Sequence, residues 1–198
     1  MTLFLILLLS LILLATFHMI APDHWVPISL VSSVRKFSHF KKFSFSIIIG
    51  ALHAFTSVLV ALLALAIGLL LIRSFLSYLY DAGEIMLVLV GVYFILNGLH
   101  ESKEESKFES FTMHSVLVIS IFPDFALVPI MISSVPLGII QIITLLIVFI
   151  IVSSFSLTLI VFASSFGIAG TLRNFKPSYL DYLIGAVLFI TAAILRFI

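Results

Sequence analysis

The sequence predicts an all-α, polytopic membrane protein of about six transmembrane helices, built as two inverted three-helix repeats. Composition is the first reason: 63% of the 198 residues are hydrophobic and only 10% are charged, and the mean hydropathy is +1.36. Soluble domains do not have this composition. The second reason is a proline–aspartate motif that occurs in residues 22–28 and again in residues 123–130.

Hydrophobic segments divide the chain into six predicted spans, which short polar loops connect. They are expected at about residues 2–33, 43–72, 82–99, 112 onward, 139–166 and 179–198. Prolines are expected to break the first and fourth spans, because proline lacks the N–H of a helical hydrogen bond. The first repeat then comprises residues 1–100, a polar linker residues 101–112 and the second repeat residues 113–198, all in one membrane domain.

The second half of the chain repeats the first at an offset close to 100 residues. Charged and aromatic residues match as well as the prolines: Arg73, Phe75 and Asp81 correspond to Arg173, Phe175 and Asp181. Chance explains apolar matches in such sequences well, but it explains charged and proline matches at one offset poorly. Each unit has an odd number of spans, so the second unit enters the membrane from the opposite side, which predicts inverted topology.

The charges of the loops predict an orientation in the cell membrane. Three loops on one side hold eight of the ten Lys and Arg residues: Arg35, Lys36, Lys41, Lys42, Lys103, Lys107, Arg173 and Lys176. Basic loops remain in the cytoplasm, so both termini are predicted outside.

Several classes of function are not expected from this composition. The net charge of +1 gives no indication of nucleic-acid binding, and the absence of cysteine excludes thiolate metal sites and thiol redox chemistry. No ATP-binding motif or permanent cofactor is indicated, and we do not expect an enzyme. The lipid bilayer is a predicted partner, and a homo-oligomer or a partner subunit stays open.

Three residues of metal-ligating types lie around the first proline break, in the pattern His18-x-x-x-x-Asp23-His24. In a straight helix, six residues do not make a whole number of turns, so His18 and His24 would lie on different faces. Pro22 opens the helix and allows the three side chains to converge. Ionisable residues within a membrane are costly and are usually functional, which favours a binding site over a pair of kinked packing helices.

His53 lies within the second span, and Asp124 lies in the second copy of the proline motif. Because the second span neighbours the broken helix, His53 is a candidate ligand as well as a candidate packing residue. Asp124 is interpreted as a metal ligand, a proton carrier or a partner of His24. Imidazole and carboxylate ligands without thiolate suit Ni²⁺, Co²⁺, Zn²⁺, Fe²⁺ or Mn²⁺ and disfavour Cu⁺.

The His18-x-x-x-x-Asp23-His24 motif resembles the signature of the nickel/cobalt transporter family, and residues 50–57, with His53, look like a loosened form of that family's second histidine motif. The segment 123–129 is similar to the proline motif in the second half of related six-span permeases and exporters. The resemblance implies that His18, Asp23, His24 and His53 handle metal. This chain has fewer spans than the best-known members and lacks a histidine-rich loop.

The sequence therefore predicts a permease that moves a divalent transition metal, most readily nickel or cobalt, by secondary transport with alternating access. Two alternatives remain open. One is an exporter of a small organic or anionic solute that uses the His/Asp motif as a proton relay. The other is a non-transporting membrane subunit of a larger complex.

Overall fold

The computed structural model describes residues 2–71, 76–101, 123–165 and 177–197, and every regular element in these ranges is helical. There are seven α-helices in the described ranges, together with a short 3₁₀-helix at Val135–Leu137. The α-helices are α1 (Thr2–Ile20), α2 (Pro22–Val34), α3 (His39–Leu71), α4 (Leu76–Glu101), α5 (Leu127–Ser133), α6 (Ile139–Ala163) and α7 (Pro177–Arg196).

Three of these helices are long and apolar enough to cross a membrane: α1, α6 and the His39–Gly68 part of α3. Shorter apolar helical stretches cover Glu84–His100 in α4 and Tyr182–Arg196 in α7. Large apolar side chains also lie on the outer surface, such as Leu63 at 62% exposure and Ile151 at 60%. Helices that are apolar on all faces indicate a membrane location. The six-span arrangement remains a prediction, since residues 102–122 lie outside the described ranges.

Two helices begin earlier than the sequence predicts. Helix α3 starts at His39 rather than near residue 43, and the Ser38 hydroxyl accepts a 3.3 Å hydrogen bond from the Lys41 N–H. This is the usual geometry of a serine N-cap. Helix α4 starts at Leu76 rather than near residue 82. No glycine or proline interrupts residues 76–82, so nothing in that segment opposes the helix.

The chain leaves helical geometry at Ala21, between α1 and α2, where ψ is 133°. Pro22 is then the first residue of α2, a position at which the missing N–H has no cost. The carbonyls next to the break are satisfied locally: that of His18 accepts from the Ala21 N–H at 3.1 Å, and that of Ile20 accepts from the Trp25 indole at 3.0 Å. The interruption at Ala21 therefore leaves neither of these two carbonyls without a hydrogen-bond donor.

The second motif forms a non-helical turn that leads into α5. Asp124 precedes the helix, and one of its carboxylate oxygens accepts a 2.9 Å hydrogen bond from the Ala126 N–H. All seven residues of α5 are buried, and Gly138, with φ of 86°, ends the following turn before α6. What precedes Pro123 lies outside the described residues, so a break within span four remains a prediction.

Two further prolines do not open their helices, contrary to the simple sequence argument. Pro129 is the third residue of α5, where backbone N–H groups have no helical partner in any case. Pro27 lies in the second turn of α2, which continues to Val34. One absent hydrogen bond there is tolerated because the rest of the helix is packed against its neighbours.

The helices pair across the two halves of the chain. Helix α3 packs along α6 and α4 packs along α7, while α1 packs on α6 and α7. Both cross-half pairs are antiparallel: Gly50 in α3 lies against Ser154 in α6, and the Lys42 ammonium near the start of α3 donates to Ser165, just after α6. Gly91 and Gly185 form the close approach of α4 and α7. Small residues let helix backbones approach closely in membrane proteins.

Candidate metal site

Three histidines from three helices meet in the interior of the first half. His18 lies in the last turn of α1, His24 in the first turn of α2 and His53 in the middle of α3. Their ring centroids are 4.5 Å apart for His18 and His24, 5.0 Å for His24 and His53, and 5.4 Å for His18 and His53. One ring nitrogen from each lies within 4.8 Å of the others.

The interruption at Ala21 is what brings the two neighbouring histidines together. In a continuous helix, His18 and His24 would be separated by about 240° around the axis, given roughly 3.6 residues per turn. With the chain redirected at Ala21, the two rings contact edge to face. The arrangement therefore requires the interruption at Ala21, which lies directly before Pro22.

The histidine cluster is shielded from the surroundings. His24 is 8% exposed, His53 is 2% exposed and His18 is half-buried. Met19 and Trp25, which directly follow His18 and His24 in the chain, are buried in a hydrophobic cluster that also includes Ile49 of α3 and Leu157 of α6. Polar rings in such an apolar setting need compensating interactions, since burying an unsatisfied polar group costs free energy.

The geometry is close to that of a metal-binding site but slightly open. A metal ion bonded to nitrogen at about 2.1 Å keeps any two of its ligands within about 4.2 Å of each other. The three nitrogens lie within 4.8 Å, so small side-chain rotations would close them on an ion. Three imidazoles would leave at least one coordination position for a further ligand, as in sites where a bound group must exchange.

The two aspartates predicted as ligands are placed differently. Asp23 is the second residue of α2, but its side chain lies outside the described part of the structure. Asp124 is 2% exposed, and its carboxylate does not join the three histidine nitrogens that lie within 4.8 Å of one another. Its second carboxylate oxygen has no hydrogen-bond partner in the described residues. The structure therefore brings together His18, His24 and His53 and leaves Asp124 apart from them.

Ser57 connects Asp124 to the histidine cluster, a role that the sequence argument did not assign. Its hydroxyl donates to the His53 carbonyl at 2.9 Å and accepts from the Asp124 N–H at 2.8 Å. The available signal was its position four residues after His53, one helical turn away on the same face. That signal does not reveal the partner on Asp124, which is 67 residues away in sequence.

Comparisons of the chain with protein-family models, curated proteins and solved structures found no match. The interpretation of the site therefore depends on its own geometry and chemistry.

Proposed function

We propose that the chain is a membrane permease for a divalent transition-metal ion, with Ni²⁺ or Co²⁺ as the leading substrates. The observation that carries this proposal is the convergence of His18, His24 and His53, from three helices, inside a bundle of apolar helices. Ionisable side chains at such positions mark ion pathways more often than packing. A single metal ion would bond to one ring nitrogen of each of the three histidines.

The chemistry of the ligands limits the substrate. Neutral imidazole binds first-row divalent ions, and the chain offers no thiolate that would select Cu⁺. Within the divalent series, ligand type alone does not discriminate, and the resemblance of the His18–His24 motif to nickel/cobalt transporters favours those two ions. Asp23 or water would supply further ligands to complete the coordination shell.

The site is also suited to release of its ion. Structural metal sites are closed by four protein ligands, whereas three histidines leave an exchangeable position. His18 and His24 lie on opposite sides of the Ala21 interruption, so a change in the angle between α1 and α2 would separate them. A binding site that a rigid-body motion of two helical segments can open is what alternating access requires.

The helix pairing supports the inverted-repeat form of this proposal. A two-fold axis in the membrane plane reverses helix direction, so equivalent spans that pack together must be antiparallel. The pairs α3–α6 and α4–α7 have that relation, since Ile95 of α4 lies next to Gly185 while Glu84, earlier in α4, lies next to Arg196 at the end of α7. A two-fold axis along the membrane normal would make equivalent helices parallel.

The deciding experiment is metal binding and transport by the purified chain. Isothermal titration should detect Ni²⁺ or Co²⁺ binding, and proteoliposomes should accumulate the ion. His24→Ala should lower the affinity at least about a hundredfold, because losing a histidine that bonds the metal directly exceeds the effect of losing a residue that only hydrogen-bonds to a ligand. His39→Ala is the matched control, since His39 is exposed at the start of α3.

The alternatives give different results. If the wild type binds and moves no divalent metal, the permease proposal is wrong. Loss of transport of an unrelated solute in His24→Ala, without metal binding in the wild type, would instead support the proton-relay exporter.

A further inference from the structure

A groove between α4 and α7, away from the histidines, has a volume of about 710 Å³ and charged groups at one end. Asp81 and Glu84 on α4 and Arg196 on α7 form that end, and Val88, Leu89 and Phe189 form the apolar wall. We propose that this groove binds one phospholipid with a primary ammonium headgroup, phosphatidylethanolamine. The site is independent of the proposed metal transport.

The charged end has groups for both charges of such a headgroup. A guanidinium nitrogen of Arg196 lies 3.7 Å from a carboxylate oxygen of Glu84. The side chain of Arg196 is 72% exposed, and that of Glu84 is 12% exposed. A guanidinium carries five N–H donors, so Arg196 keeps donors for a phosphate while it faces Glu84. Asp81 lies three residues before Glu84, on the same helix face, and supplies a second carboxylate.

The balance of charges selects the headgroup. Two carboxylates face one guanidinium, which leaves one negative charge at the site for an ammonium group. An anionic headgroup without an amine would meet Arg196 but would be repelled by the carboxylates. A quaternary ammonium has no N–H to donate, so it would lose the charge-assisted hydrogen bonds that the carboxylates accept.

The shape of the groove fits a lipid rather than a free polar amine. From Asp81 to Leu89 the wall runs about 12 Å along α4, at roughly 1.5 Å per residue. Opposite it, Ala192 and Ala193 on α7 leave the space that larger side chains would fill. Leu89 is 61% exposed, so an acyl chain lying there would cover apolar surface next to its own headgroup site.

Native mass spectrometry of the delipidated protein in detergent tests this proposal, with phosphatidylethanolamine, phosphatidylcholine and phosphatidylglycerol of identical acyl chains as probes. The wild type should retain one phosphatidylethanolamine with an affinity about tenfold higher than for the other two, the effect of one charge-assisted hydrogen bond. Glu84→Gln should remove that preference. Ala193→Phe, which fills the groove, should remove the bound lipid, whereas Ile190→Phe, on an exposed part of α7 outside the groove, should not.

Three results would overturn the proposal. Equal retention of phosphatidylcholine would show that the carboxylates do not recognise the ammonium. Tighter binding of phosphatidylglycerol would assign the site to Arg196 alone. A dimer in the wild type that Ala193→Phe converts to a monomer would show that a second copy of the chain occupies the groove. Thermal unfolding of each variant without lipid establishes that it is folded.

Discussion

The Asp124 backbone N–H donates a 2.8 Å hydrogen bond to the Ser57 hydroxyl, which itself donates to the carbonyl of His53. The turn of the second proline motif is thereby attached to the turn of α3 that carries a histidine of the candidate site. Both groups are buried, so water does not compete with this bond. The link makes the position of His53 depend on the second half of the chain.

Ser57→Ala should therefore weaken both folding and metal binding. Removing the hydroxyl leaves a buried Asp124 N–H unsatisfied, which costs about 1–3 kcal/mol of unfolding free energy. Thermal unfolding and Ni²⁺ titration of the purified variant measure the two effects. Thr56→Ala is the control, because the Thr56 hydroxyl donates to the same His53 carbonyl and has no bond to Asp124. Equal losses in both variants would show that the link to Asp124 has no role of its own.

The sequence predicted the parts of the site that depend on local rules. Composition indicates a membrane location, which the long apolar helices support, and the chain leaves helical geometry at Ala21, between His18 and His24. The placement of Asp124 could not be predicted, because its bond to Ser57 depends on how α5 packs against α3. The predicted starts of α3 and α4, near residues 43 and 82, lie later in the chain than the observed ones. The polar residues before them favour a loop in the sequence, although no glycine or proline interrupts residues 39–43 or 76–82.

Trp25 should report metal binding by its fluorescence. It is the only tryptophan in the chain, it is 2% exposed, and it directly follows His24. Ni²⁺ or Co²⁺ bound to the histidines should quench its emission in a saturable manner, with a midpoint equal to the dissociation constant from calorimetry. Mg²⁺, which prefers oxygen ligands, should leave the emission unchanged. Quenching that persists in a His18→Ala, His53→Ala double variant would place the ion elsewhere.

Trp25→Phe tests the cap of the helix break. The variant keeps an aromatic ring but loses the indole N–H that donates to the Ile20 carbonyl. An unsatisfied carbonyl in an apolar interior costs about 1–3 kcal/mol, so the unfolding temperature should fall and the Ni²⁺ affinity should decrease as the angle at Ala21 relaxes. Phe45→Leu is the control, because Phe45 is an aromatic residue that packs against the hydrophobic cluster containing Trp25. An unchanged Ni²⁺ affinity in Trp25→Phe would show that the cap does not position the histidines.

Gly50→Val should separate α3 from α6. A β-carbon at Gly50 would lie 2.8 Å from the Ser154 α-carbon, and a backbone atom cannot move aside as a side chain can. Overpacking of this kind costs about 1–3 kcal/mol. Because Gly50 lies one turn before His53, the Ni²⁺ affinity should fall together with thermal stability. Ala66→Val, at an exposed position of the same helix, should change neither.

The orientation predicted from the loop charges can be tested by cysteine labelling, for which the chain is suitable because it contains no native cysteine. Ser106→Cys places a single thiol in the predicted cytoplasmic linker. A membrane-impermeant maleimide should not label it in intact cells but should label it after the membrane is permeabilised. Leu3→Cys, near the predicted external N-terminus, should show the opposite behaviour in intact cells. Labelling of the Ser106→Cys thiol in intact cells would reverse the orientation.

Metal binding should release protons and should weaken as the pH falls. An imidazole nitrogen that carries a proton has no lone pair for the metal, so Ni²⁺ and H⁺ compete for His18, His24 and His53. The affinity should therefore fall as the pH is lowered from about 8 to about 5, because protons then compete more strongly for the three imidazoles. Titrations at one pH in buffers of different ionisation enthalpy give the number of protons released from the slope of enthalpy against buffer enthalpy. In proteoliposomes, an acidic lumen should weaken binding on the inner side and so favour release of the ion there, which should raise its accumulation. His39→Ala should reproduce the wild-type slope, since an exposed imidazole outside the cluster takes no part in the competition. An affinity that does not change across this range would mean that the ion is held by carboxylates rather than by the three histidines.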